Sequence, residues 1–292
     1  MADAVKLIEE LAKKALQRSK EQQAQQAREG IKPETNVLRL PIWPESTRGT
    51  PNAFLRGALF AAIQGKERRA MQRELLATQK GVSIRYTGWQ LDQADLDVWE
   101  QAAQLAQAHP LGNVCHFHIH GFLKALGRDT GKSQHEWVKG SFARLMSAGV
   151  EISDGRSTYG GAMLEFKQDE VVGAYVIRLN PTILDLYNAG WTQIDWEIRR
   201  KLIRKPLALW LSGWLSSHAE NFPTKIKTLH ELSGSRNAQL RGFKRDLKKA
   251  LTELVTVGAI DGFSIEGELV TIQRKVTESQ AKHLLKKGRK PR

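Results

Sequence analysis

The chain has 292 residues, 41% hydrophobic and 26% charged, with one Cys; that length suits about two domains, and the cysteine count excludes a disulfide-stapled scaffold. No apolar run approaches the roughly 18 residues that a membrane-spanning helix needs, and the N-terminus has no secretory pattern, so a reducing cytoplasm is the expected location. The net charge of +14 is segregated: residues 1–195 hold 24 Lys and Arg against 22 Asp and Glu, while 196–292 hold 21 against 9, which points to a phosphate-bearing polyanion more than to a solvated surface.

In chain order, Val5, Ile8, Leu11, Ala12, Ala15 and Leu16 are spaced for an amphipathic helix or tail over residues 3–29. Residues 33–51, with Pro33, Pro41, Pro44, Gly49 and Pro51, read as an extended linker interrupted by the apolar knot Leu40, Ile42 and Trp43. That knot docks back on its own domain or on another protein. From Asn52, the stripe Phe54, Leu55, Ala58, Leu59, Ala62 and Ile63 predicts a helix ended by Gly65. A basic stretch (66–73), a strand (82–87), a helix (92–107), a second strand (114–119) and a short helix closed by Gly127 follow.

The chain then repeats itself at an offset of 109 residues: Leu145-Met-Ser-Ala-Gly-Val150 aligns with Leu254-Val-Thr-Val-Gly-Ala259, Val138 with Leu247 and Phe142 with Leu251. Each copy is preceded by a nine-residue Ile-to-Gly segment (119–127 and 226–234). Alternating runs follow each copy: 150–152, 162–166 and 171–179 in the first, 263–265 and 268–272 in the second. Helix, turn, helix and β-ribbon make a winged helix, so the expected fold is α+β, mainly helical, with tandem winged-helix domains. The expected division is 1–50 (helix and linker), 51–190 and 191–275 (the two domains, the second opened by a long helix over 191–218) and 276–292 (basic tail). A DNA-reading helix buries one face and turns the other toward bases and phosphates. On the second helix that leaves Arg236, Asn237, Gln239, Arg241, Lys244, Arg245, Lys248 and Lys249 outward; on the first, Lys132, Ser133, His135, Lys139 and Arg144.

Three patterns suggest enzymes. Gly127-Arg-Asp-Thr-Gly131-Lys132-Ser133 has three residues between its glycines where a P-loop needs four, so it reads as the turn and N-cap of the first reading helix. His116, His118 and His120 fall on one face of an alternating strand, where three imidazoles could hold a metal and resemble the site of nicking endonucleases of rolling-circle replication. Those enzymes also need a tyrosine nucleophile, and Tyr86, Tyr159, Tyr175 and Tyr187 show no paired spacing, so a solvated or DNA-facing histidine edge is favoured. Asp92, Asp95 and Asp97 near Glu100 read as acidic first-turn positions favoured by the helix dipole.

The runs Pro51-Asn-Ala-Phe-Leu-Arg-Gly-Ala-Leu-Phe60, Ser83-Ile-Arg-Tyr-Thr-Gly-Trp-Gln-Leu-Asp-Gln-Ala-Asp-Leu-Asp97, Phe122-Leu-Lys-Ala-Leu-Gly127 and Thr228-Leu-His-Glu-Leu-Ser-Gly-Ser235 resemble the TrfA-type replication initiators of broad-host-range IncP plasmids, over residues 33–275. The resemblance implies a non-enzymatic initiator that needs no cofactor, binds double-stranded origin repeats (iterons), contacts single-stranded DNA on opening an AT-rich region, and recruits host DnaA, DnaB helicase and the sliding clamp. It also implies a monomer–dimer equilibrium in which monomers bind the origin. Arg39-Leu40-Pro41-Ile42-Trp43 is similar to a clamp-binding peptide, with Leu40, Ile42 and Trp43 as its apolar contacts and Arg39 in place of the usual Gln. The alternatives are a metal-dependent nicking enzyme and a winged-helix transcription regulator.

Overall fold

The computed structural model describes residues 40–65, 67–109, 112–169, 171, 173–220, 222–274 and 280; the expected N-terminal helix and the basic tail lie outside them. The chain opens with β1 (Thr47–Pro51), α1 (Asn52–Leu55), β2 (Phe60–Ala61), β3 (Ala70–Leu76), β4 (Ser83–Trp89), β5 (Leu91–Asp92) and α2 (Gln93–Gln107). The apolar stripe from Asn52 thus gives one helical turn, and the helix expected to reach Ile63 does not form. Long-range pairing overrides the local pattern: Ala58 N–H donates to the Ala77 carbonyl at 2.8 Å, and Phe60 pairs in parallel with Leu91. Gly57 permits the close approach, since a Cβ there would sit 2.8 Å from the Ala77 oxygen.

Next come β6 (Val114–His118), α3 (Ile119–Ala125), α4 (Lys132–Ser147), β7 (Gly149–Ser153), β8 (Thr158–Gly161), β9 (Leu164–Asp169), β10 (Ala174–Leu179), α5 (Pro181–Leu184), β11 (Trp191–Asp195) and α6 (Trp196–Lys201). The remaining elements are α7 (Pro206–Ser216), β12 (Thr224–Lys225), α8 (Ile226–Leu232), α9 (Leu240–Thr256), β13 (Gly262–Glu266) and β14 (Leu269–Gln273).

One order of elements therefore occurs twice: helix, short strand, short helix, long helix, two-stranded ribbon. It is α2-β6-α3-α4-β9-β10 in the first unit and α7-β12-α8-α9-β13-β14 in the second. The antiparallel sheets match, β6-β10-β9 and β12-β14-β13, with the last strand central in each. The repeat register holds in the interior, because Val138, Phe142 and Leu145, like Leu247, Leu251 and Leu254, are fully buried. One expectation fails. Residues 150–152 do not join the first ribbon; Val150 and Ile152 pair with Tyr86 and Ile84, so β7 and β8 extend the β3-β4-β7-β8 sheet and the ribbon is β9–β10 alone.

Residues 191–218 are likewise not one long helix. β11 pairs with β1, α6 follows, and Pro206 restarts the backbone as α7, where its missing N–H costs no helical bond. One core runs from Leu40 to Trp196 and the other from Leu202 to Ile272. The boundary expected at 191 accordingly lies near 202, and the first unit begins before 51.

A buried ionic frame braces the first unit from α2. Asp92 caps α2 through the Ala94 and Asp95 amides, and Asp95 returns the bond to the Asp92 N–H. Asp95 also takes Ser141 Oγ and Arg144 Nη2, both at 2.7 Å. Asp97 and Glu100 flank the buried Arg199, Glu100 at 3.3 Å, while Thr50 Oγ1 donates to Glu100 at 2.6 Å. Desolvation holds the Asp97 and Glu100 carboxyls above the usual carboxylate range even with Arg199 beside them. Asp92 and Asp95 thus hold the N-cap and first turn as expected, and the structure adds that these acids are also interior partners of arginines.

Candidate nucleic-acid interface

α9 has the clearest division of faces in the molecule. Phe243, Leu247, Leu251 and Leu254 are buried at helical spacing, and the opposite side carries Arg241, Arg245, Lys248 and Lys249, all exposed. Arg241, Arg245 and Lys248 stand three or four residues apart, so they form one cationic ridge. Lys244 leaves the ridge: its Nζ donates to the Gly267 carbonyl at 2.7 Å, tying α9 to the β13–β14 turn, whose flanks are Glu266 and Glu268. Gln239, the residue before α9, is exposed and makes no side-chain cap.

The two residues expected outward just before this helix are turned to other uses. Arg236 donates to Gln90 Oε1 at 2.6 and 3.1 Å and to the Glu67 carbonyl at 3.1 Å, bridging the second unit to the first. Asn237 donates to Asp246 at 3.0 Å while its carbonyl sits 2.8 Å from His230 Nε2, so it organises the α8–α9 turn.

The same face of α4 is weaker. Lys132 and Ser133 are exposed in its first turn, which starts at Gly131 without a side-chain cap, leaving amide donors open to an anion. Lys139 lies 3.4 Å from Glu136, and His135 is half-buried with Nε2 enclosed and unpartnered. Arg144, expected to face DNA, is folded onto the buried Asp95 because α4 packs against α2 there.

The other patterns resolve as follows. β6 ends at His118 and α3 begins at Ile119, so the alternation stops before His120 and the three imidazoles do not share one strand face. Among the described residues no group of three His, Cys, Asp or Glu is placed to hold a metal. Tyr86, Tyr175 and Tyr187 are buried; the Tyr86 and Tyr187 hydroxyls donate to the Trp89 and Gly49 carbonyls, both at 2.7 Å. Residues 127–131 are the turn before α4, with Gly127 at φ +70° and Gly131 as the N-cap.

The apolar knot docks on its own unit. Trp43 is 3% exposed, stacks on Tyr187 at 5.7 Å and donates its indole N–H to Gln104 at 2.6 Å; Leu40 is 6% exposed. Only Ile42, at 88%, points to solvent. The three do not form an accessible peptide, because a cavity ringed by Tyr187, Trp191 and α2 takes the indole.

The sequence places the run from Arg199 to Lys205 within the long helix expected over 191–218. It sends Arg199 inward and leaves Arg200, Lys201 and Arg204 exposed. Its charge density is the signal the sequence offers, and Pro206 marks the break that splits it from α7.

Two like units, each a helix pair with a ribbon and one with a strongly cationic helix face, define a duplicated α+β protein. The chain belongs to the TrfA protein family, whose model matches residues 3–274. It is 24% identical over 283 residues to a plasmid replication initiator protein TrfA of Escherichia coli, covering 93% of this chain and 72% of that one. In fold it is similar to crystal structures of domains 2 and 3 of RctB. A selenomethionine form has a TM-score of 0.55 at 14% identity, covering 78% of this chain and 99% of the other. A second has 0.50 at 16%, covering 76% and 96%. Among the described residues no helix is long and apolar enough to cross a membrane.

Proposed function

We propose that the chain is a plasmid replication initiator that binds duplex origin repeats through two winged-helix units, α4 and α9 being the reading helices. The observation that carries this is the Arg241, Arg245, Lys248 and Lys249 face of α9, set opposite a fully buried apolar face in a unit that recurs around α4. A cationic helix in this setting suits the major groove, with phosphate contacts from Arg and Lys and base contacts from the first turns, here Gln239 and Arg241 on α9 and Lys132 and Ser133 on α4. Membership of the TrfA family supports the origin as the target. The protein acts in the cytoplasm by binding, with no catalytic step of its own; opening of an AT-rich region and recruitment of DnaA and DnaB belong to the same reading. So does the sliding clamp, but contact through Leu40, Ile42 and Trp43 requires the first and last of these to leave the core.

Arg241→Ala and Lys244→Ala, made singly and assayed for repeat-DNA affinity across a salt series, test this. Arg241→Ala should weaken binding and flatten the log affinity–log salt slope by about one. Lys244→Ala should weaken it less, since its ammonium is already engaged by Gly267. Unchanged affinity in both removes α9 from the interface.

A further inference from the structure

A cleft of about 520 Å3 opens between the two cores, bounded by the flank of α4 at Ser133 and Trp137, the start of α2, Ile203 of the connection and Pro206 at the start of α7. Four arginines line it: Arg68, Arg128, Arg144 and Arg204. Two of them are neutralised, Arg68 by Asp92 at 2.5 Å and Arg144 by Asp95 at 2.7 Å. The other carboxylates at the cleft are also occupied, Asp97 by Arg199 and Glu136 by Lys139.

Arg128 and Arg204 are left without a carboxylate in contact. Arg128 Nη1 meets only the neutral Gln134 Oε1 at 3.3 Å, and its guanidinium lies 3.5 Å above the Trp137 ring, which fixes its plane. Arg204 is exposed and makes no hydrogen bond or ion pair among the described residues. Burial lowers the Arg128 pKa from the ordinary arginine range; the α2 carboxylates act against this from behind and Arg204 adds to it. Two guanidinium groups lining one cleft, one of them pre-oriented by an aromatic face, favour a shared anion, and the planar fork of arginine matches phosphate oxygens. The uncapped first turn of α4, whose Ser133 lines the same cleft, adds hydroxyl and amide donors.

We propose that Arg128 and Arg204 grip a phosphodiester of the bound DNA strand where it crosses from one unit to the other. The inference rests on the duplex-binding function proposed above and adds to it that the strand crosses the cleft between α4 and the connection to the second unit. The seam holds the DNA register between the two reading helices without reading sequence itself.

Arg204→Gly and Arg128→Gln, each in the full chain, test the site. Arg204 sits at φ +66°, a left-handed conformation that glycine adopts freely, so Arg204→Gly should melt at or above the parent temperature. It should nevertheless bind repeat DNA about five- to tenfold more weakly, with the salt slope reduced by about one. Arg128→Gln should do the same, and Arg204→Lys should restore the salt slope but only part of the affinity. A parent that binds repeat DNA while Arg204→Gly and Arg128→Gln match it in affinity and slope overturns the phosphate seat and leaves the DNA-binding function standing. A parent that binds no duplex sinks that function itself. Protection of the parent, but not Arg204→Gly, from melting by pyrophosphate, with DNA affinity equal in both, shows a free-phosphate site and also overturns the proposal.

Discussion

At the scale of single residues, buried charge and one tryptophan dominate. Arg199 is enclosed with Asp97 and Glu100, so Arg199→Ala leaves two carboxylates buried without their cation and should cost about 3–5 kcal/mol in thermal or denaturant unfolding. A variant within experimental error of the parent would show that these acids are solvated. Trp43→Ala should cost a similar amount, about 3–5 kcal/mol, by opening a cavity beside Tyr187 and Trp191. Asp92 gives a pH signature. Desolvation, aided by Asp95 and opposed by Arg68, raises its pKa to about 6, above the roughly 3.9 of an unfolded aspartate. The folded state then binds the extra proton between those values, so this group's contribution to stability is fully present below about pH 3.9 and is lost as pH rises through about 6. Asp92→Asn keeps the helix cap and removes the titration. Its melting temperature should therefore fall less than the parent's from pH 4 to pH 6; parallel curves would contradict the assignment.

Much of this residue-level frame was invisible in the sequence. Gly49 reads as a linker signal among four prolines, yet it is glycine because the Trp43 ring lies where its Cβ would be. Arg144 and Arg241 both read as outward helix positions, since spacing reports the helix face and not the acid waiting opposite it. Only α4 meets a buried aspartate from α2.

At the scale of elements, the repeat was legible because its signal is internal. A fixed offset carried Val138, Phe142 and Leu145 onto Leu247, Leu251 and Leu254, and all six are buried. What failed were the elements set by distant pairing: the short α1, the capture of β7 by β4, and the break of 191–218 at Pro206. The unequal helix surfaces predict unequal consequences. Arg144→Ala should lower stability and leave the salt slope of DNA binding within error, because its guanidinium already serves Asp95, whereas Arg245→Ala and Lys248→Ala should lower the slope by about one each and leave stability nearly unchanged. A reversed pattern would exchange the roles of the two positions.

At the scale of the whole molecule, the units are joined by more than the connection at 202–205. Arg236 reaches Gln90 and Glu67, Trp210 donates to the Gly57 carbonyl at 3.2 Å, and Arg56 bonds Ser217. Held by such contacts, α4 and α9, the reading helices of the proposed function, should engage one repeat with a fixed spacing. Hydroxyl-radical footprinting of one origin repeat by the full chain and by Arg245→Glu/Lys248→Glu tests this most directly. The account predicts two protected backbone segments for the parent and loss of only the one facing α9 in the variant. A single segment for the parent, or two that persist unchanged in the variant, would contradict it.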